Sequence, residues 1–461
     1  MHAICFQKRE QYCNNDRGTA SVKKADLRTE GLGNMTMDKN RIHKLTADAV
    51  GLLKEMVAIP SPSFSEDAVC AHICNWLTDK GIIYKRVGNN ILAGLSWQTA
   101  PEERLKKGDS HKPTLMLCAH IDTVAPCEGY TFDPYNPDYT FAAEAVARNN
   151  AINTTPADIV AGLGSNDDGA SVVSMIAAFR YFCGNHASEF RTDDNAQSPE
   201  YMADLDGRSE RSISPSSCSE SRAVTDDCIQ TDHNLMLVLS CEEERSGLNG
   251  MTGLWKQLKD NVDYAIVGEP TGMKAATAER GLLVIDATAH GVSGHAARNE
   301  GINAIDIALE DIQALKSHEF AKVSPRMGKV NLNVTQISAG TAHNVIPDTC
   351  TFVVDIRPTE QYTNEEILKE LQGICKSELK PRNLSNRSSA TFENSPLQHT
   401  AEKLNIDTFS SPTTSDWMRI DCDAIKMGPG ESSRSHKKDE FVFVNEIADG
   451  IKTYIEFIKR F

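Results

Sequence analysis

Basic residues are in short supply: 48 Lys and Arg stand against 64 Asp and Glu, a formal charge of −16. Binding to nucleic acid needs clustered Lys and Arg that displace counterions from phosphates, so a nucleic-acid partner is excluded. Long apolar runs are missing as well. None reaches the roughly 18 residues of a membrane span, which excludes a transmembrane protein. The first 34 residues mix charge and polarity without the apolar stretch of a secretory signal, and they read as a disordered extension with Met35 or Met37 as the real start. Among 13 cysteines there is no CxxC pair. Several sit in apolar runs (Cys118, Cys183, Cys241), the usage of a reduced, cytoplasmic protein. Cys70 and Cys74 lie one helical turn apart with His72 between them, and they read as helix packing because His72 points off the Cys face.

What remains, 40% hydrophobic and 24% charged over 461 residues, is the composition of a soluble globular protein with room for two domains. Apolar residues fall at helical spacing from Lys44 to Ile59, and Pro60 and Pro62 stop the pattern. Short apolar runs then alternate with helices: Thr114 to Ala119, Leu235 to Cys241, Tyr264 to Val267 and Ala424 to Met427 read as strands of a buried, mainly parallel sheet. From Gly281 to about Asn394 the order becomes strand, helix, strand, strand, helix, strand, with the second helix over Asn364 to Leu379 and the last strand over Ser389 to Phe392. The fold class is therefore α/β, a mixed and mainly parallel catalytic sheet with an inserted ferredoxin-like α+β (βαββαβ) domain. The expected division is an extension over 1–41, a catalytic domain over 42–280 and 395–461, and the insert over 281–394. A polar stretch at about 185–232 buries too little to offset its ordering entropy and reads as a surface insertion. No role is assigned to it or to residues 142–158.

The chemistry-bearing residues fall at strand ends. His120 follows one apolar run, Glu242, Glu243 and Glu244 follow another, and Glu269 lies two residues past a third. In open α/β sheets ligands bind outside the carboxyl ends of the strands. Asp167, in the turn GLGSNDDG, and His436, in the loop after AIKM, are placed to join them. Singly, each has an ordinary reading: a strand-end His, a helix cap, a solvated acidic turn, a surface His. Together, two His and three carboxylates match what a pair of divalent ions sharing a carboxylate requires, with one Glu left over to accept a proton from an attacking water. Gly162-x-Gly164 also invites a dinucleotide reading, but Asp167 replaces the third Gly and would repel a pyrophosphate.

In order, HID (120–122), GLGSND (162–167), SCEEE (240–244), GEPT (268–271), GVSGHAARNEGINAI (291–305) and GPGESSRSHKKDE (428–440) resemble the M20 metallopeptidase family, over a match running from about residue 42 to the end. Within it they look most like the acetylornithine deacetylase and succinyl-diaminopimelate desuccinylase group, in particular the Bacteroidetes-type acetylornithine or succinylornithine deacylases. The resemblance implies two Zn2+ or Co2+ ions bridged by Asp167, with His120 and Glu269 on one and Glu244 and His436 on the other. It further implies Glu243 as general base, Asp122 orienting His120, and His295 polarising the scissile carbonyl, often across a dimer interface. Arg357, Asn344, Ser415, Asp416 and Gly430 become substrate-binding candidates. Glu242 stands where the family often has Asp, so the register of the triplet rests on choosing Glu243 and Glu244 as the working pair. The implied activity is removal of an acyl group from an N-acyl amino acid, N-acetylornithine or N-succinylornithine first, in arginine biosynthesis, by a cytoplasmic homodimer. Another activity of the same family, a desuccinylase, dipeptidase or aminoacylase, is the alternative.

Overall fold

The computed structural model describes residues 39–94, 112–135, 139–150, 155, 158–183, 231–298 and 300–461. Nearly all of the extension, and all but the last two residues of the polar insertion, lie outside them. Among the described residues no helix is long and apolar enough to cross a membrane.

Among the described residues nine strands form the main sheet. Its centre is four parallel strands in the order Asn234–Ser240, Thr114–His120, Tyr264–Val267 and Asp423–Lys426, antiparallel neighbours extending it at both sides. Thr114–His120 and Asp423–Lys426 are buried along their whole length and the other two nearly so, as both faces of a helix-covered parallel sheet must be. Register aligns His120 with Ser240 and Cys118 with Val267, so the residues that follow these strands emerge at one level. The helix Ala170–Cys183 covers one face and is covered in turn by Val444–Arg460, whose Ile447, Ile451, Tyr454, Ile455 and Ile458 make one apolar stripe.

Residues 142–158, unassigned from sequence, begin within the helix Tyr139–Asn150. Its Ala142, Ala145 and Val146 pack with Phe132, Ile159, Ala161 and Phe441. They support the short strand Ile159–Ala161, which leads directly into the turn bearing Asp167.

The inserted sheet has the order Asn331–Ala339, Thr349–Arg357, Leu283–His290, Glu378–Pro381, all antiparallel, with the helices Ala304–Ser317 and Asn364–Gln372 packed on one face. That is the ferredoxin-like arrangement. Two elements differ from the sequence-based expectation. The second helix stops at Gln372, because Asp311 of the facing helix accepts the amides of Lys376 (2.9 Å) and Ser377 (2.7 Å) and turns the chain into the strand Glu378–Pro381. Ser389–Ala390 then pairs with Ala275–Glu279 of the main sheet, not with the insert.

Candidate metal centre

His120 ends its strand 3% exposed. Its Nδ1 lies 2.9 Å from the Asp122 carbonyl and 3.5 Å from the Asp122 carboxylate. A carbonyl only accepts, so Nδ1 carries the proton and Nε2 is left as the free donor of electrons, the tautomer a metal ligand needs. That Nε2 faces Asp167 Oδ1 at 3.3 Å.

Asp167 sits in the turn Ser165–Gly169, entered through Gly164 at φ 78°, where a Cβ would come within 2.5 Å of Thr123. The Asp167–Asp168 peptide is cis. The second oxygen of Asp167, Oδ2, faces His436 Nε2 at 3.6 Å, and the same His436 nitrogen lies 3.0 Å from Glu244 Oε1. One carboxylate thus turns an oxygen to each of two imidazoles.

The acidic triplet divides at its first member. Glu242 takes a left-handed conformation (φ 59°) and sends its carboxylate away from the cluster, to the backbone (3.0 Å) and side chain (2.7 Å) of Asn249. Glu243 and Glu244 continue into a short 3-10 turn whose amides both donate to the Asp122 carboxylate, at 3.0 and 3.1 Å. Ser63 donates to the same carboxylate at 2.7 Å. His120, Glu243 and Glu269 form one trio and His120, Asp167 and Glu244 another, each bringing donor atoms within 4.8 Å of one another.

So many carboxylates in a dry cluster shift one another. Glu243 is pushed well above the ordinary carboxylate range by burial and by Glu269 and Glu244, and Glu269 likewise by burial and Asp167. Burial would also raise Asp167, but its hydrogen bond to His120 holds it below the usual value. His436 is raised to about 9 by its hydrogen bond to Glu244. A compact excess of negative charge with two imidazoles is the donor set of a divalent cation site. The spacing fits too. Two ligand atoms about 2.0–2.1 Å from one ion at the tetrahedral angle stand about 3.3–3.4 Å apart, close to the His120–Asp167, His436–Asp167 and His436–Glu244 separations.

The remaining candidates divide between the insert and the borders of the cluster. His295 is exposed on the insert, its Nδ1 accepting from Ala297 N at 3.2 Å. Asn344 is beside it, since Ala296 N donates to the Asn344 carbonyl and Gly294–His295 pairs with Val345–Ile346. Arg357 is held in a fork by Asp355 of its own strand, at 2.8 and 3.1 Å. Ser415 and Asp416 are buried with their side chains spent internally, on Glu279 and on Ser240. Burial pushes Asp416 up to about 6. Gly430 has φ 85°, and a Cβ there would come within 2.4 Å of Asn166 Oδ1.

Sequence reasoning passed over four buried charged residues around this cluster. Asp168 is pushed up to about 8 by burial, and Glu440 also to about 8 by burial and Asp167. Lys426 and Glu279 form an ion pair at 3.0 Å with exposures of 1% and 0%. Nothing in their spacing sets them apart from solvated charges; the one available signal was position, Glu279 and Lys426 ending strands, Glu440 preceding the strand Phe441–Phe443 and Asp168 lying two residues before an apolar helix.

Residues 277–383 match the peptidase dimerisation domain of the M20 type. The succinyl-diaminopimelate desuccinylase of Ehrlichia chaffeensis is 26% identical over 255 residues, half of this chain and 67% of the relative. The acetylornithine deacetylase of Photorhabdus laumondii is 26% identical over 250 residues, 49% of this chain and 64% of the relative. Among solved structures, a dinuclear metal-binding M20 peptidase of Bacillus subtilis superposes with a TM-score of 0.55 at 14% identity, over 91% of this chain and 98% of that one. At that identity the likeness is one of fold: a mixed α/β sheet with an inserted dimerisation domain.

Proposed function

We propose that this chain, related to the M20 metallopeptidases through their dimerisation domain and their fold, is a dinuclear amide hydrolase that removes the acyl group from an N-acyl amino acid. The observation that carries this reading is Asp167, whose two oxygens face His120 and His436 while Glu243 stands among the ligands without being needed as one. One ion would be held by His120, Asp167 and Glu269, the other by Asp167, Glu244 and His436. Two divalent ions, Zn2+ or Co2+, would supply Lewis acidity and make a water acidic enough to attack at neutral pH.

The chain's own residues do the rest. Glu243, its proton affinity raised by burial and by Glu269 and Glu244, takes the proton of the attacking water and returns it to the departing amine. Asp122 fixes where Glu243 and Glu244 stand, through their amides. The Asp122 carbonyl holds His120 in the ligating tautomer. His295 is exposed on the insert and is not among the residues whose donor atoms converge, which fits a role at the scissile carbonyl in a second copy, the two joined through the insert. Arg357 is the candidate for the substrate carboxylate, since a guanidinium fork matches it bidentately; it would have to exchange Asp355 for the substrate.

N-acetylornithine and N-succinylornithine are the first substrates to test, which would place the activity in arginine biosynthesis in the cytoplasm. Succinyl-diaminopimelate is the second reading, favoured by the relative from Ehrlichia. The experiment is release of free amine from all three by chain stripped with chelator and reconstituted with Zn2+ or Co2+. Metal-dependent release from one identifies the acyl preference. No release from any, with ions bound, moves the substrate to another N-acyl amino acid or a dipeptide.

A further inference from the structure

The loop that carries His436 and the turn that carries Asp167 are far apart in sequence, yet they are fastened together at the loop's start, at its end and, through an Asn166 Nδ2 to Ser435 Oγ bond of 3.3 Å, beside His436. At the start of the loop, Asn166 accepts from Glu431 N at 3.0 Å and donates to the Glu431 carbonyl at 3.1 Å. At its end, one oxygen of Glu440 accepts from both Asn166 N (2.9 Å) and Asp167 N (3.0 Å). Glu440 is 2% exposed, and its own backbone is fixed: its carbonyl accepts from Gly162 N at 2.8 Å, and the next residue, Phe441, pairs with Ala161 across two short strands.

The neighbouring Asp439 is committed in another direction, accepting from Thr131 N at 2.8 Å. The loop end is therefore immobilised from both sides, and Glu440 points inward from a fixed base.

We infer that Glu440 is a positioning residue for the metal centre: its carboxylate fixes the backbone of Asp167 relative to the loop of His436, so that the shared carboxylate meets both imidazoles. The inference rests on the dinuclear reading of Asp167. Two amides converging on one oxygen set the height and direction of the Asp167 Cα. Without that acceptor, the turn loses its only described link from the Asp167 backbone to the His436 loop. What the role needs is an acceptor at the right distance, not a charge. Two conservative variants separate these requirements. Glu440→Gln keeps the length and an acceptor oxygen but loses the charge; Glu440→Asp keeps the charge but is one methylene too short to reach both amides.

The experiment is equilibrium binding of Zn2+ to the metal-stripped full chain, by competition with a chromophoric chelator, paired with amide hydrogen exchange of the segment 162–170 in the metal-free chain. Positioning predicts that Glu440→Gln binds close to wild type. Glu440→Asp should bind about 10- to 100-fold more weakly, the usual effect of losing a group that orients a ligand, with faster exchange at Asn166 and Asp167. Equal weakening in both variants, or weakening by Gln alone, would mean that an acceptor at the right distance is not enough and would overturn the proposal. So would unchanged exchange in Glu440→Asp. Failure of the wild-type chain to bind Zn2+ at all would sink the dinuclear reading instead, while the exchange arm still decides whether Glu440 holds the turn.

Discussion

The Asp122 carboxylate receives the backbone hydrogen of Glu243 at 3.0 Å, and its other oxygen receives that of Glu244 at 3.1 Å. A single buried group thus sets the direction of the two acidic side chains that the proposed chemistry separates into proton acceptor and ligand. Without it the turn would leave two part-buried amides unmet, at a cost of up to about 1–3 kcal/mol each.

Asp122→Ala should leave three donors unmet, the two amides and the Ser63 hydroxyl. The expected result is a loss of about 3 kcal/mol in urea unfolding of the metal-free chain, and a turnover reduced about 10- to 100-fold with ions restored. Asp122→Asn keeps one acceptor oxygen and should lose less of both.

Metal binding should release protons. His436 is raised from the model-peptide value of 6.5 to about 9 by its bond to Glu244, so it is charged at neutral pH and must lose its proton to ligate. Affinity for Zn2+ should therefore rise with pH up to about 9. In the metal-free chain the sign is opposite: the raised value means that the His436–Glu244 pair stabilises fully below 6.5 and that this contribution fades as pH rises through about 9. Calorimetry in two buffers of different ionisation heat counts the protons, and His436→Ala should release fewer.

The buried pair Lys426–Glu279 should be unforgiving to single changes. Lys426→Met strands a carboxylate that is fully buried, at an expected loss of about 3–5 kcal/mol in urea unfolding. Adding Glu279→Gln should recover most of it. No recovery would mean that the lysine matters through packing and not through the pair.

His295→Ala should lower turnover by about 10²-fold or more, the range for removing one group that stabilises developing charge, while leaving the ion content unchanged. Ion loss in this variant would place His295 among the ligands.

Much of the site was legible because its residues sit at the ends of strands whose burial is written in uninterrupted apolar runs. His120, the Glu triplet and Glu269 could be placed at one sheet edge from that pattern alone, and the register of the parallel strands levels them. Which member of the triplet turns away was carried by the resemblance alone, which chose Glu243 and Glu244; physically it depends on Asn249, seven residues on, capturing Glu242. Asp122 was read as the orienting partner of His120, and the structure gives the nearer contact to its carbonyl, a group that carries no sequence signal. The helix after Asn364 ended early for a similar reason, since Asp311 reaches it from a helix over fifty residues earlier in the chain. Tertiary hydrogen bonds of this kind leave local periodicity unchanged, and Glu440 and Lys426 escaped notice on the same account.

In the proposed centre Asp167 would be shared by two ions and Glu243 would hold neither. Ion content per chain, measured by elemental analysis after reconstitution with Zn2+ and read beside turnover, tests it most directly. The account predicts two ions in wild type, two in Glu243→Gln with turnover reduced at least about 10²-fold, and loss of ions in Asp167→Ala. Glu243→Gln turning over near the wild-type rate, or Asp167→Ala retaining both ions, would contradict it.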